Sequence, residues 1–197
     1  MSTTLAPSTH RTLVALNYIY QLAMMAVIAG ILSAAMFMQY AYGELPCPLC
    51  LLQRVALFGV CFGIMLNFRN GFTARNTGIS LMFALLLLIV SVRQTLLDIV
   101  PRPGHEYIGS AVFGLHMPVW SVFIALAILI AFALRLTIFG GDEKLRDAPP
   151  ASFPLIGTLA GLLSLYVIVI CLINFASVIV QCGFGECHTF GYALLKK

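Results

Sequence analysis

From Thr12 to Gly43 the chain carries no charged residue, and the same holds from Ile108 to Leu134. These runs constrain the fold more than any motif does. Backbone N–H and C=O groups placed in hydrocarbon must all be paired inside the protein, and a helix achieves that within a single segment. About 20 residues of helix cross the apolar layer of a bilayer. On that scale the sequence predicts five spans, at about residues 13–38, 48–68, 76–97, 118–136 and 155–180. The first is too long for a signal-peptide core of about 7–15 residues and is read as a helix. Pro118 divides the second long run, which makes Gly109–Met117 a re-entrant or interfacial piece. Composition agrees with a polytopic membrane protein. Of 197 residues 61% are hydrophobic and only 9% charged, where a soluble domain has about a quarter charged. The formal charge of +4 is spread over the loops without a basic patch, so nothing supports nucleic-acid binding. The expected fold is all-α, a single transmembrane domain over residues 1–197 with a polar tail from 181 to 197.

The chemistry concentrates in Pro46-Cys47-Pro48-Leu49-Cys50-Leu51-Leu52-Gln53-Arg54, where a polar turn becomes the second span. Proline suits the first position of a helix, because its missing N–H would have had no partner there. Cys47 is therefore expected as the N-cap and Cys50 as the third helical residue. A thiol at a helix start faces unpaired N–H groups and the positive end of the helix dipole, which favour thiolate over thiol. Arg54 follows Cys50 by four residues, hence on the same helix face. Two cysteines two residues apart, with a cation beside them, suit a dithiol that exchanges. A structural disulfide or half of a zinc site remain the alternatives. Cys47, at the cap, is expected to be the more exposed sulfur.

Lys and Arg placement sets the orientation. Arg11, Arg69, Arg75, Arg135, Lys144 and Arg146 share one side of a five-span chain, against Arg102, Lys196 and Lys197 on the other. The richer side is expected to be cytoplasmic. Cys47, Cys50, Cys182 and Cys187 then all fall on the opposite side, which in a bacterium is oxidising. Two pairs on one oxidising face suit a thiol–disulfide relay. The glycines flanking Phe184 suit a mobile loop for the second pair, and a structural staple is its alternative. A rival reading joins the four cysteines, with His188, into a zinc or copper site. Cys61 and Cys171 lie about 16 Å along their helices from that face and read as small buried hydrophobes. His105 lies in a loop, and His116 reads as an interfacial residue beside Trp120.

Arg54 and Arg93 are charges within spans, a costly placement unless they snorkel to the nearby surface or serve a function. Electrons released by an oxidised thiol pair must leave, and no flavin, nucleotide or haem motif is present. A membrane quinone needs no such motif, and a cation would stabilise the charge that forms on its oxygens.

The run Cys47-Pro48-Leu49-Cys50-Leu51-Leu52-Gln53-Arg54-Val55-Ala56-Leu57-Phe58-Gly59-Val60 resembles the disulfide bond formation protein B (DsbB) family. Gly114-Leu115-His116-Met117-Pro118-Val119-Trp120 is similar to the family's lead into its last core helix, and Arg93 falls where the family tends to have a positive residue. The resemblance covers about Leu13 to Arg135. It implies a four-helix core, here followed by a fifth transmembrane helix. It implies that Cys47 and Cys50 are reoxidised by ubiquinone or menaquinone, with Arg54 lining the quinone site. It also implies that a second pair takes electrons from a soluble thioredoxin-like oxidase, DsbA. In the family that pair lies between helices three and four, but Asp98–Tyr107 here has no cysteine, and Cys182 and Cys187 are the candidates.

The sequence thus reads as a multi-pass inner-membrane thiol oxidase. It would pass electrons from a periplasmic DsbA-like protein to the quinone pool, with Cys47, Cys50, Cys182 and Cys187 catalytic, Arg54 at the quinone and no metal. A vitamin K epoxide reductase-like enzyme and a metal-binding membrane protein are the alternatives. The orientation is checked by reporter fusions. A fusion after Lys197 is expected to report the periplasm and one after Arg146 the cytoplasm. A cytoplasmic reading after Lys197 would place Cys182 and Cys187 in a reducing compartment and end the relay.

Overall fold

Without water to pair with, the apolar runs close their hydrogen bonds along the chain and form helices. The computed structural model describes residues 7–100, 111–139, 152–183 and 192–194. The described residues form five helices: α1 (Pro7–Ala41), α2 (Pro48–Asn70), α3 (Ala74–Ile99), α4 (Met117–Phe139) and α5 (Pro154–Cys182). All five are long and apolar enough to cross a membrane. The shortest have 23 residues, about 35 Å of helix against a hydrocarbon layer of about 30 Å.

Local chemistry sets the helix ends. Cys47 caps α2 in an extended conformation, with Pro48 as the first helical residue. The α2–α3 turn is short. Gly71 takes a φ of 81° there, a left-handed conformation that glycine adopts without a Cβ penalty. Thr73 then caps α3, its Oγ1 accepting from the Asn76 N–H at 3.2 Å. Residues 111–116 form a short turn rather than a helix. Val112 and Leu115 bond each other's backbones at 2.9 and 3.1 Å. Phe113 and Gly114, both at positive φ, turn the chain between them. Trp120 Nε1 donates to the Val112 carbonyl at 3.0 Å and ties this turn to α4. Pro118 sits in the first turn of α4, where its missing N–H is harmless.

α1 to α4 surround a common core that includes Ile28 and Leu32 of α1, Val60 and Ile64 of α2, Leu87 of α3 and Phe132 of α4. The Tyr20 hydroxyl donates to the Ala131 carbonyl at 2.8 Å, so α1 also touches α4. α5 packs against α1 and α2 and contributes Val167 and Ile170 to the core. The closest helix contact is α2 on α3. Gly59 lies under the Phe83 ring, and Gly63 lies against Ser80 and the backbone of Asn76. A glycine stripe lets two membrane helices approach within backbone contact, where dispersion is strongest. Ser80 Oγ uses this proximity to donate to the Val60 carbonyl at 3.0 Å.

The end of the bundle opposite the cysteines holds a second polar cluster. Arg135 is 1% exposed. Its Nε donates to Asn17 Oδ1 at 2.9 Å and its Nη1 to Thr77 Oγ1 at 3.0 Å, and its guanidinium lies 5.1 Å from the centre of the Phe72 ring. The sequence places Arg135 among the loop charges that set orientation. In the structure it is a core residue joining α4 to α1 and α3.

The glycine contact yields a stability test. A Cβ on Gly63 would lie 2.7 Å from the Asn76 carbonyl oxygen and 2.8 Å from the Ser80 nitrogen. Gly63→Ala must therefore push α3 away, at a cost of about 1–3 kcal/mol. Gly78 has open space beside it, and Gly78→Ala is expected to be neutral or stabilising by up to about 1 kcal/mol. Thermal unfolding of both variants in detergent checks the contrast, and equal effects would refute the close α2–α3 contact.

Candidate redox site

Cys47 and Cys50 form a disulfide across the first turn of α2, with 5.0 Å between their Cα atoms. The cap itself explains why this spacing works. The extended backbone of Cys47 turns its sulfur back over the helix start, where it accepts the Cys50 N–H at 3.0 Å. One of the helix's unpaired donors is thereby aimed at a reacting atom.

Two amides, Gln94 of α3 and Gln53 of α2 itself, complete the surroundings. Gln94 of α3 places its Nε2 3.3 Å from the Cys47 sulfur and 3.4 Å from that of Cys50. Its Oε1 accepts from Gln53 Nε2 at 2.9 Å, and Gln53 Oε1 accepts from Ser121 Oγ of α4 at 3.1 Å. Sequence reasoning missed Gln94 and Ser121, which are remote from the cysteines along the chain. The available signal was an uncharged amide in an apolar span, next to the flagged Arg93. Arg93 itself is exposed while Gln94 is buried.

The expected exposure of the two sulfurs is reversed. Cys47 is 4% exposed, and Cys50 is half-buried. The cause is tertiary. Gln181 of α5 donates to the Pro46 carbonyl at 2.9 Å and brings the end of α5 against the turn before Cys47. Cys182, the next residue, is buried and is itself disulfide-bonded. Residues 192–194 return to the same helix end, where Ala193 N donates to the Gln181 carbonyl at 3.0 Å. Cys187 and His188 lie outside the described residues, as do His105, Lys144, Arg146, Lys196 and Lys197. Cys61 and Cys171 are free thiols, the first buried and the second half-buried.

Arg54 does not snorkel. It is buried, and its guanidinium is held inside the bundle. Nη1 donates to Gln39 Oε1 at 2.7 Å, to Asn174 Oδ1 at 3.0 Å and to Met36 Sδ at 3.3 Å, while Nη2 donates to the Ala35 carbonyl at 3.2 Å. These acceptors are all neutral. Gln39 is oriented in turn by donating to Ser177 Oγ at 2.6 Å and to the Tyr192 hydroxyl at 3.4 Å. Arg54 therefore joins α2 to α1 and α5. None of its hydrogen bonds goes to a cysteine. What it shares with Cys50 is a cavity of about 380 Å³, lined also by Gln53, Ser121 and Glu44 among mainly apolar side chains such as Ile31, Leu57, Leu87 and Trp120. His116 stands before α4, its carbonyl accepting from Val119 N at 3.0 Å.

The site is thus a disulfide at a helix start beside a mainly apolar cavity, in a bundle of helices long and apolar enough to cross a membrane. Residues 18–106 match the model of the family Disulfide bond formation protein DsbB. The match spans α2, α3 and most of α1. Relatives named Disulfide bond formation protein B occur in Aromatoleum aromaticum, at 32% identity over 41% of this chain and 51% of the relative. In Chromobacterium violaceum the identity is 33%, over 49% of this chain and 62% of the relative. In Pseudomonas syringae pv. tomato it is 41% over a shorter stretch, 24% of this chain and 30% of the relative. The chain thus spans about half the length of the curated relatives it matches. No solved structure gives a significant match.

The geometry at Arg54 predicts its variants. Arg54→Ala leaves the buried oxygens of Gln39 and Asn174 without their donor, which costs about 1–3 kcal/mol. Arg54→Lys is expected to recover only part of this, because an ammonium lacks the planar fork that reaches α1 and α5 together. Unfolding in nanodiscs measures both, and an unchanged Arg54→Ala would show that the guanidinium does not tie the helices.

Proposed function

We propose that this protein is a quinone-dependent thiol oxidase that keeps a soluble dithiol oxidase of the thioredoxin-like, DsbA type in its disulfide form. The observation that carries the reading is the shared cavity: Cys50 and Arg54 face one apolar space of about 380 Å³ within the bundle. Such a space accepts an uncharged ring with an apolar tail, and ubiquinone and menaquinone both have that character. A bound quinone would supply a two-electron acceptor beside Cys50. The chain's own residues supply the rest. Arg54 offers a fixed positive charge beside the cavity, where the low dielectric strengthens its effect. The helix start and Gln94 stabilise the sulfurs in their reduced form. The apolar lining keeps bulk water from the thiols.

Cys182 and Cys187 are proposed as the entry pair. In support, the residue before Cys182 bonds the residue before Cys47, Gln181 donating to the Pro46 carbonyl, while Cys50 lines the cavity. Electrons would then enter at the end of α5, cross to Cys47 and leave from Cys50. In each round the soluble dithiol loses two electrons and two protons to become a disulfide, and the acceptor gains them. The five helices would form one domain in the bacterial inner membrane, with the N-terminus cytoplasmic and the cysteines periplasmic. With Arg135 removed from the loop charges, Arg11, Arg69, Arg75, Lys144 and Arg146 still outnumber Arg102, Lys196 and Lys197.

Cysteine variants test the order. Cys50→Ser is expected to accumulate a bond between Cys47 and a tail cysteine. The double variant Cys182→Ser, Cys187→Ser is expected to keep its first pair oxidised by quinone, yet to oxidise the soluble dithiol at least ~100-fold more slowly. Non-reducing mass mapping and quinone-reduction kinetics read both outcomes. Oxidation of the dithiol at the normal rate by the double variant would reduce the tail pair to a staple.

A further inference from the structure

We infer that Gln94 is a redox-tuning residue, whose side-chain N–H makes the Cys47–Cys50 disulfide a stronger oxidant than the helix start alone would. The inference rests on reading that disulfide as the reactive pair. Gln94 Nε2 is the side-chain donor placed within reach of both sulfurs, at 3.3 and 3.4 Å. An N–H donated to a charged acceptor stabilises it about twice as much as one donated to a neutral acceptor. Disulfide sulfur is a weak neutral acceptor, whereas thiolate is charged. The contact therefore favours the reduced form, and a pair whose reduced form is stabilised draws electrons more strongly.

The orientation of the amide is fixed. Gln94 could present either its oxygen or its nitrogen to the sulfurs. Gln53 Nε2 donates to the Gln94 oxygen at 2.9 Å, and disulfide sulfurs carry no hydrogen to give an amide oxygen, so the nitrogen is the end that pairs with them. All three side chains come from different helices, and Gln53 and Gln94 are both buried. An amide at this depth keeps its hydrogen bonds, because water does not compete for them. Ser121 and Gln53 also line the cavity that Cys50 faces. The chain of hydrogen bonds thus runs from the proposed acceptor site to the disulfide. A polar group on the acceptor that captured the Ser121 or Gln53 side chain would loosen Gln94.

The test equilibrates the full-length protein in nanodiscs with glutathione buffers. Two glutathione thiols reduce the disulfide to two thiols and become glutathione disulfide, so electrons and protons balance. Differential alkylation, read by mass spectrometry on the peptide containing Cys47 and Cys50, reports the ratio of the two forms. Gln94→Leu keeps the volume and removes the donor. It is expected to shift the equilibrium toward the disulfide about tenfold, which for a two-electron couple is about 30 mV. Gln94→Glu, which offers only oxygens when ionised, is expected to shift it at least as far. Gln53→Glu retains an acceptor for Ser121 but no longer holds the Gln94 oxygen. It is expected to shift the equilibrium in the same direction by a smaller factor, and it keeps the test open should Gln94→Leu fail to fold. Equilibria within twofold of wild type in every folded variant would overturn the inference, even if unfolding temperatures fell, because a packing role lowers stability without moving the couple. A wild-type pair that never exchanges with glutathione would overturn the redox reading and this inference with it.

Discussion

A guanidinium buried in an apolar bundle is tolerable only if its N–H groups find acceptors, and the arrangement around Arg54 follows from that requirement. Hydrocarbon offers no partners to such a group, so the acceptors must come from other helices. α1 supplies Gln39, Met36 and the Ala35 carbonyl, and α5 supplies Asn174. The fifth helix is thereby fixed to the four-helix core by a polar contact as well as by apolar packing. Its C-terminal end then reaches the turn before Cys47, through Gln181 and Pro46. A charge that would be a liability in lipid sets where the last helix, and with it Cys182, must stand.

The surroundings of the disulfide obey the same rule with neutral groups. Three buried amides have their two ends used by different neighbours. Gln39 accepts from Arg54 and donates to Ser177. Gln53 accepts from Ser121 and donates to Gln94. Gln94 accepts from Gln53 and donates to the sulfurs. Polar groups satisfied in this way fix orientation, because any rotation would leave a buried donor or acceptor unpaired. The cysteines are therefore presented by a rigid frame, with Cys50 toward the cavity and Cys47 buried after a turn that bonds the end of α5. Chemical asymmetry between two sulfurs of one short loop comes from which helix each one faces.

The local features of the site were legible in the sequence. The N-cap at Cys47, the proline behind it and the helix that follows depend on adjacent residues, and local rules govern them. The five apolar runs were legible for a similar reason, since helix formation in hydrocarbon needs no tertiary partner. Arg54 was legible as unusual but not as a tie, because its partners lie on α1 and α5. Gln94 and Ser121 were legible only as polar groups in apolar spans, not as parts of the site. An amide or a hydroxyl in an apolar span has many possible uses, and only packing shows that these two meet Gln53. The exposure of Cys47 was misjudged because a helix cap is open to solvent only where no other element covers it. Arg135 was misplaced for a matching reason. Near a helix end it reads as a loop charge, and the amide of Asn17 and the hydroxyl of Thr77 that draw it inward lie on other helices.

The sequence by itself determined that the chain is an all-helical bundle with five apolar helices and a cysteine pair at the start of the second. Those outcomes rest on interactions within one segment, where the chain's connectivity already holds the participants together. Tertiary structure alone decided which sulfur faces the cavity, which amide meets the disulfide and where the end of α5 comes to rest. Those outcomes depend on groups far apart along the chain, brought together by a Gly59–Gly63 face that lets α2 and α3 touch and by buried polar groups that must find one another.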